Sequence, residues 1–230
     1  MRGNFTTAIR GFCRRVVHLG RRDFDYRRAY SQSDLDSDFW SVVGPASREE
    51  FEQLGGVKLK HLVDLGLTPD ARVLDVGCGT GLLAATLTNY LSERGSYVGT
   101  DLAAEAVEFC RARFPRPGFT FIQNEMTTIP LNNCDFDAIV FYSVFTHTYP
   151  DETALLLAEA RRLLADGGIV FADTFTSNDV ERCEGDRGAV VANHEHLRRL
   201  IALAGLKAEV VMTLEGPRGS QRSFWRLTAS

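Results

Sequence analysis

The sequence predicts an α/β fold with a doubly wound, mainly parallel sheet of seven strands and an antiparallel hairpin at one edge. From residue 71 onward, short β-rich runs alternate with segments of helical periodicity, which is typical of strand–helix–strand units. The last two runs are separated only by a Gly/Pro turn at 215–220, which predicts an antiparallel pair. The chain has 230 residues and is 44% hydrophobic, enough to bury one sizeable core.

Each predicted element rests on its own local pattern of apolar residues. We expect strands at seven places: Arg72–Val76, Ser96–Thr100, Phe119–Gln123, Ala138–Tyr142, Ile169–Asp173, Lys207–Leu214 and Ser223–Thr228. We expect helices between most of them: Leu82–Glu93, Ala103–Phe114, Asp151–Leu164 and His194–Ala204. In such sheets, ligands bind beyond the carboxyl ends of the strands.

The residues before this body form an amino-terminal arm. Apolar residues at helical spacing alternate with arginines in residues 5–22, which predicts a basic amphipathic helix. It could be a transit peptide, a membrane-surface helix, a lid, or an accessory helix packed on the domain. After a polar loop, Ser47 and Glu50 form the pattern of a capping box, and the helix they begin should end near Gly66. We therefore divide the chain into an arm and lid-like segment, 1–46, and a ligand-binding domain, 47–230.

Charge and cysteine content limit the function classes. Residues 1–28 hold eight arginines and two aspartates, while the whole chain has a net charge of −4, so the remainder is acidic. A nucleic-acid partner is therefore disfavoured, although the arm could contact an anionic membrane surface. No apolar run is long enough for a transmembrane span. Five widely spaced cysteines without a C-x-x-C pair favour reduced thiols and a cytoplasmic location.

The segment that decides the function runs from Val73 to Gly81. An apolar strand leads into a G-x-G-x-G turn that opens a helix, with Asp75 two residues before the first glycine. Glycines at such a turn let the backbone bend and let a ligand lie against it. A second acid, Asp101, ends the next predicted strand, where a carboxylate can accept hydrogen bonds from both hydroxyls of a ribose.

In these features the sequence resembles the class I S-adenosylmethionine-dependent methyltransferases, which have a Rossmann-like fold, from about residue 40 to the end. Motif I is matched by Asp75, Gly77, Cys78, Gly79 and Gly81. The stretches 136–147 and 163–175 match the regions after strand four and around strand five. The resemblance implies S-adenosylmethionine as cofactor and S-adenosylhomocysteine as product.

The resemblance also implies roles for individual residues. Asp75 and the glycine turn would hold the methionine moiety, and Asp101 the ribose. Other residues would contact the rest of the cofactor: Leu102, Glu125 and Met126 near the adenine, and Tyr142 and Ser143 facing the sulfonium. Asp101 could instead be an ordinary helix N-cap.

Methyl transfer to an alcohol calls for a base, and His147, shortly after the fourth strand, is the candidate. It could equally be a packing or orienting residue. Asp173, with Asn178 and Asp179, could face substrate or hold a hard cation, but a catalytic metal is disfavoured because Tyr142 and Ser143 stand where metal-dependent members carry an acid. The His194-Glu195-His196 run follows Asn193, which favours a capped surface helix over a metal pair.

The acceptor is expected to be a small molecule. The residues after strand four lack the N-P-P-Y type motif that methyltransferases of nucleic-acid amino groups carry. Four aromatic residues could form a lid over the substrate or pack in the core: Tyr26, Tyr30, Phe39 and Trp40. We therefore favour transfer to a hydroxyl of a sugar, lipid or secondary metabolite. The alternatives are a nitrogen or carbon acceptor, a macromolecule docked by the arm, and a cofactor-binding protein that does not methylate.

Overall fold

The computed structural model describes residues 25–132 and 135–230. These residues form two compact units, 25–125 and 126–230, called here the first and second unit. The predicted amphipathic helix at residues 5–22 lies outside the described residues. Residues 25–46, which we assigned to the lid-like segment, belong to the first unit together with the glycine turn.

The first unit begins with short helices and continues as strand–helix–strand repeats. Its elements are α1 (Tyr26–Ser31), α2 (Leu35–Asp38), a 3-10 turn (Ser41–Val43), α3 (Arg48–Asp64), β1 (Arg72–Val76), α4 (Leu82–Tyr90), β2 (Ser96–Asp101), α5 (Ala104–Arg113) and β3 (Phe119–Gln123). Strand β1 pairs in parallel with β2, which pairs in parallel with β3. The Ser47 hydroxyl accepts a hydrogen bond from the Glu50 amide at 3.2 Å, so the predicted start of α3 is confirmed.

The second unit contains the other predicted strands and one hairpin that was not predicted. Its elements are β4 (Phe136–Phe141), α6 (Pro150–Leu163), β5 (Leu164–Ser177), β6 (Cys183–Asp186), β7 (Ala189–Asn193), α7 (His194–Leu203), β8 (Leu206–Glu215), a 3-10 turn (Pro217–Gly219) and β9 (Gln221–Ala229). Strand β4 pairs in parallel with β5, and β9 pairs antiparallel with both β5 and β8. The α/β class and the antiparallel pair at the end of the chain are therefore confirmed.

The unpredicted hairpin changes the end of β5. We expected this strand to end at Asp173, but it continues to Ser177. The extension is paired on both sides: residues 175–177 bond in parallel to β7, and residues 170–176 bond to β9. Asp173 therefore lies inside a strand, fully buried, and not at its carboxyl end.

Candidate functional site

The glycine turn after β1 is tied to the end of β2. Gly77, Gly79 and Gly81 have φ of 74°, 56° and 81°, the left-handed region in which glycine is favoured. The amides of Gly77 and Cys78 both donate to the Thr100 carbonyl, at 2.7 and 2.9 Å. Two backbone hydrogen bonds therefore fix the turn against the carboxyl end of β2.

Asp101 closes the same loop from the other side. Its Oδ2 accepts a hydrogen bond from the Gly79 amide at 2.9 Å, and its Oδ1 accepts one from the Ala103 amide at 3.0 Å. The side chain is buried, which raises its carboxyl pKa, and these amides act in the opposite direction. A carboxylate has about four acceptor positions, so each oxygen can still accept from a ligand hydroxyl. Asp101 thus holds the amide of Gly79 and that of Ala103, the residue directly before α5, and its role as the ribose acceptor stays a prediction.

Three buried polar atoms near the ends of β1, β2 and β3 have no hydrogen-bond partner among the described residues. They are Thr80 Oγ1, Thr100 Oγ1 and Asn124 Oδ1. Buried polar atoms in proteins are nearly always paired, so these three atoms are available to a polar ligand or to water. The Asn124 amide nitrogen donates to the Glu125 carbonyl at 2.6 Å, which directs its oxygen as an acceptor. Sequence analysis did not select Asn124, and the one available signal was its position directly after β3.

Glu125, which follows Asn124 in the chain, has an exposed side chain. Its side chain is 79% exposed and pairs with Arg27 at 3.2 Å. Leu102 is half-buried, and its carbonyl accepts from Gln123 Nε2 at 3.0 Å. The adenine contacts assigned to Leu102 and Glu125 stay predictions, and Asn124 is the residue whose polar group is buried at this place.

The Asp75 carboxylate is hydrogen-bonded to a side chain of the neighbouring strand β2. Its Oδ2 accepts a hydrogen bond from the Tyr97 hydroxyl at 2.7 Å, and the side chain is buried. Burial raises the carboxyl pKa of Asp75 to about 6, against the opposing effects of the Tyr97 hydroxyl and the Lys58 charge. Its contact with the methionine moiety of a cofactor therefore stays a prediction.

Aromatic and apolar residues from the amino-terminal elements cover the glycine turn. A Cβ placed on Gly79 would lie 2.6 Å from Val43 Cγ1 and 2.9 Å from the Tyr30 hydroxyl. Tyr30 is buried with Ala103 and Ala106, and burial, followed by the nearby Asp101 charge, raises its hydroxyl pKa. Phe39 is also buried, whereas Tyr26 and Trp40 are half-buried. The structure thus brings one of the predicted lid residues, Tyr30, against the turn, while Phe39 packs on Trp40, Phe51 and Phe109.

In the second unit, a buried ion pair holds Ser143, the second residue after β4. Ser143 has φ of 61°, uncommon for a residue with a side chain, and its amide donates to Asp173 Oδ1 at 2.7 Å. Arg222 forms a buried ion pair with Asp173, donates to Ser143 Oγ at 2.8 Å, and stacks over Phe175 and Phe224. Sequence analysis missed Arg222, because its partner on β5 is distant in the chain and meets it only through the β5–β9 pairing.

His147 has one ring nitrogen fixed. Its Nδ1 lies 2.8 Å from the Arg187 carbonyl oxygen, so Nδ1 carries the proton and Nε2 the lone pair. Burial lowers the pKa of His147 to about 4, and the Arg222 charge acts in the same direction, against Asp173. The imidazole is therefore neutral at neutral pH.

Arg187 is itself held in place by α6. Its guanidinium forms two hydrogen bonds to the Glu152 carboxylate, at 3.0 and 2.6 Å, and lies over the Tyr149 ring. Met126 Sδ is 4.0 Å from Arg187 Nη1. Tyr142, predicted to face the sulfonium, is buried beside Ser143 in the chain.

The metal-like run at the start of α7 is a helix cap. Asn193 Oδ1 accepts from the His196 amide at 2.8 Å, as the sequence predicted. In residues 25–132 and 135–230, the structure contains no group of three or more His, Cys, Asp or Glu side chains placed to hold a metal ion. The helices within those ranges also include none with the length and apolarity that crossing a membrane requires.

Comparison with known proteins identifies the central segment. Residues 73–168 match the family model described as a methyltransferase domain. Over this range the chain is similar to methyltransferase domains. The range contains the glycine turn, Asp101, Ser143 and His147.

Relatives of the chain include a dimycocerosates methyltransferase and a fatty-acid O-methyltransferase. The phthiotriol/phenolphthiotriol dimycocerosates methyltransferase of Mycobacterium leprae is 35% identical over 116 residues, 50% of this chain and 42% of that protein. The fatty-acid O-methyltransferase of Mycolicibacterium smegmatis is 32% identical over 113 residues, 49% of this chain and 40% of that protein. The chain thus spans less than half the length of these two relatives.

Solved structures show the same fold. Magnesium protoporphyrin IX methyltransferase from Synechocystis, determined with bound S-adenosylmethionine, is 15% identical, with a TM-score of 0.64 over 91% of this chain and 100% of that chain. A S-adenosylmethionine-dependent methyltransferase from Aquifex aeolicus is 16% identical, with a TM-score of 0.58 over 90% of this chain and 100% of that chain.

Proposed function

We propose that the protein is an S-adenosylmethionine-dependent O-methyltransferase that acts on a small lipid-like molecule. The observation that carries the cofactor assignment is the closed loop of the first unit, in which the Gly79 amide and the Asp101 carboxylate meet at 2.9 Å beside unpaired Thr80 and Asn124 oxygens. When bound, the cofactor supplies an electrophilic methyl group.

The polar groups of this loop fit the parts of the cofactor. Asp101 can accept from ribose hydroxyls, and the Asn124 oxygen can accept from the exocyclic amino group of adenine. The Thr80 hydroxyl can bond to the carboxylate of the methionine moiety, close to the glycine turn. Tyr30 and Val43 cover Gly79, so they would exclude water from the bound cofactor.

Two relatives with lipid names support a lipid-like acceptor. For a hydroxyl acceptor, His147 is the candidate base, because its Nδ1 is fixed as a donor to the Arg187 carbonyl and its Nε2 therefore carries the lone pair. A base can contribute about 10²–10⁴-fold to the rate of such a step.

A carboxylate acceptor is the second candidate, favoured by the low pKa of His147. A base works best when its pKa is near the working pH, and a His147 pKa of about 4 makes the imidazole a weak one. A carboxylate needs no base, since it is already ionised at neutral pH. In that case His147 would orient the acceptor, and the product would be a methyl ester.

The first experiment is calorimetric titration of the purified chain with S-adenosylmethionine and S-adenosylhomocysteine. We expect binding that falls at least about tenfold in Asp101→Ala. The matched control is Asp186→Ala, which removes an aspartate from the β6–β7 hairpin of the second unit. Folded protein that binds neither ligand would contradict the proposal.

The second experiment separates the two acceptor classes. Release of S-adenosylhomocysteine is measured with a long-chain alcohol and with the fatty acid of the same length, for the unchanged chain and for His147→Asn. A loss of about 10²-fold or more in His147→Asn supports a hydroxyl acceptor with His147 as base. Turnover of the fatty acid that survives in His147→Asn supports the carboxylate acceptor instead.

A further inference from the structure

Two thiols share one backbone carbonyl under the glycine turn. The Gly79 carbonyl oxygen lies 3.3 Å from Cys110 Sγ and 3.8 Å from Cys78 Sγ. Cys78 belongs to the turn itself, and Cys110 is in the second half of α5. The two sulfurs are therefore brought together by the fold from separate elements.

Glycines on either side make room for both sulfurs. A Cβ on Gly81 would lie 3.1 Å from Cys110 Sγ, and a Cβ on Gly99 would lie 3.0 Å from Cys78 Sγ. Both cysteines are buried, with exposures of 5% for Cys78 and 0% for Cys110. The pair is thus packed into a small space in which each thiol is a close neighbour of the other.

We propose that Cys78 and Cys110 form an intramolecular disulfide under a two-electron oxidant such as hydrogen peroxide or diamide. With peroxide, each thiol loses one hydrogen, the S–S bond forms, the O–O bond breaks and two water molecules leave. With diamide, the two hydrogens reduce its N=N bond to a hydrazine. A dithiol reductant reverses the reaction by thiol–disulfide exchange.

The surroundings make this oxidation slow in the folded chain. The attacking species is a thiolate. The Cys110 thiol and burial raise the pKa of Cys78 well above its ordinary value, so little thiolate forms at neutral pH. The rate should therefore rise with pH. Both sulfurs are buried, so the oxidant reaches them only when the structure around them opens locally.

Closing the bond would alter the loop above it. A disulfide holds its sulfurs at about 2.05 Å, and neither can then donate to the Gly79 carbonyl. The amide of the same residue bonds to Asp101, so the loop that we assign to the cofactor would shift. This consequence rests on the proposed function, whereas formation of the disulfide does not.

The experiment oxidises the reduced chain with diamide and measures three quantities. Free thiols are counted with a chromogenic disulfide in denaturant, the peptides that carry Cys78 and Cys110 are mapped by mass spectrometry without reductant, and S-adenosylhomocysteine affinity is measured by calorimetry. We expect a Cys78–Cys110 cross-link in monomeric protein and an affinity lower by about tenfold or more, restored by dithiothreitol.

Matched variants separate this site from other thiols. The Cys13→Ser/Cys134→Ser/Cys183→Ser variant keeps only the proposed pair and should still lose two thiols, whereas Cys110→Ser should form no such cross-link. If Cys110→Ser does not fold, the peptide map of the unchanged chain still shows whether the Cys78–Cys110 cross-link forms. Two thiols that remain titratable after excess diamide, or cross-links between chains only, would overturn the proposal. A cross-link in a chain that never binds S-adenosylhomocysteine would overturn the proposed function and leave the disulfide site standing.

Discussion

The Gly79 amide donates to Asp101 Oδ2 at 2.9 Å, and this hydrogen bond joins the turn after β1 to the side chain that ends β2. Gly79 also lies directly under Val43 and Tyr30, so three parts of the first unit meet at one residue. The position has no room for a side chain. Much of the local geometry of the candidate cofactor site therefore depends on the absence of a Cβ at residue 79.

Gly79→Ala should destabilise the protein by about 2–4 kcal/mol, through left-handed strain and overlap with Val43. Chemical denaturation measures the change. Gly167→Ala is the matched control, because Gly167 has φ of 76° but nothing within 4 Å of its missing Cβ, and it should lose only about 1–2 kcal/mol. Val43→Ala in the Gly79→Ala background should restore part of the difference. If Gly79→Ala and Gly167→Ala lose the same free energy of unfolding, the overlap with Val43 contributes nothing to the destabilisation.

Asn124→Ala should weaken S-adenosylhomocysteine binding by about 1–3 kcal/mol, because the adenine amino group would lose its acceptor. The effect can be separated from simple damage with S-inosylhomocysteine, which carries an oxygen in place of that amino group. The unchanged chain should strongly prefer the adenine compound, and Asn124→Ala should lose most of that preference. Glu125→Ala is the control, since its side chain is exposed and pairs with Arg27, and it should bind almost normally.

Local patterns predicted the strands, and distant contacts decided most of the site. The bounds of β1 and β3 match the sequence expectation, because alternating or continuous apolar runs end there at turn residues. Strand β6 is Cys-Glu-Gly-Asp, a segment with no β preference, and it forms because its backbone pairs with β7. No local pattern could have predicted it.

The same limit applies to the buried charges. Asp173 was predicted at the end of a strand, facing substrate, but it is fully buried against Arg222. The prediction of the strand end was wrong because β7 and β9 both extend the pairing of β5 beyond Asp173. The glycine turn and Asp101 were found because their pattern is local, whereas Arg222 required knowledge of which strand lies beside β5.

Arg222→Met should destabilise the second unit by about 3–5 kcal/mol, because it leaves the Asp173 carboxylate buried without its countercharge. Asp173→Asn in the same background removes that charge and should recover a substantial part of the loss. Arg226→Met is the control, because Arg226 pairs with Glu209 at 3.8 Å near the surface and should cost less than about 1 kcal/mol. Thermal and urea unfolding measure all three. If the double variant is as unstable as Arg222→Met, the uncompensated Asp173 charge is not the cause of the lost stability.

The pH dependence of stability should contain a specific contribution from His147. Its pKa is about 4 in the folded chain and 6.5 when unperturbed, so between these values the unfolded chain binds a proton that the folded chain does not. The contribution is fully present above pH 6.5 and is lost as the pH falls towards 4. Its size is about 2–3 kcal/mol, since one unit of pKa corresponds to about 1.4 kcal/mol and the side chain is not completely enclosed.

Asp75 acts in the opposite direction over nearly the same range. Its pKa rises from 3.8 to about 6 on folding, so the folded chain binds the extra proton and gains stability as the pH falls from 6 towards 3.8. The two groups should therefore largely cancel in the unchanged chain. In urea unfolding from pH 7 to pH 4, His147→Asn should become relatively more stable towards acid, and Asp75→Asn relatively less stable. If both variants follow the unchanged chain at every pH, neither group is perturbed by folding in the way the structure indicates.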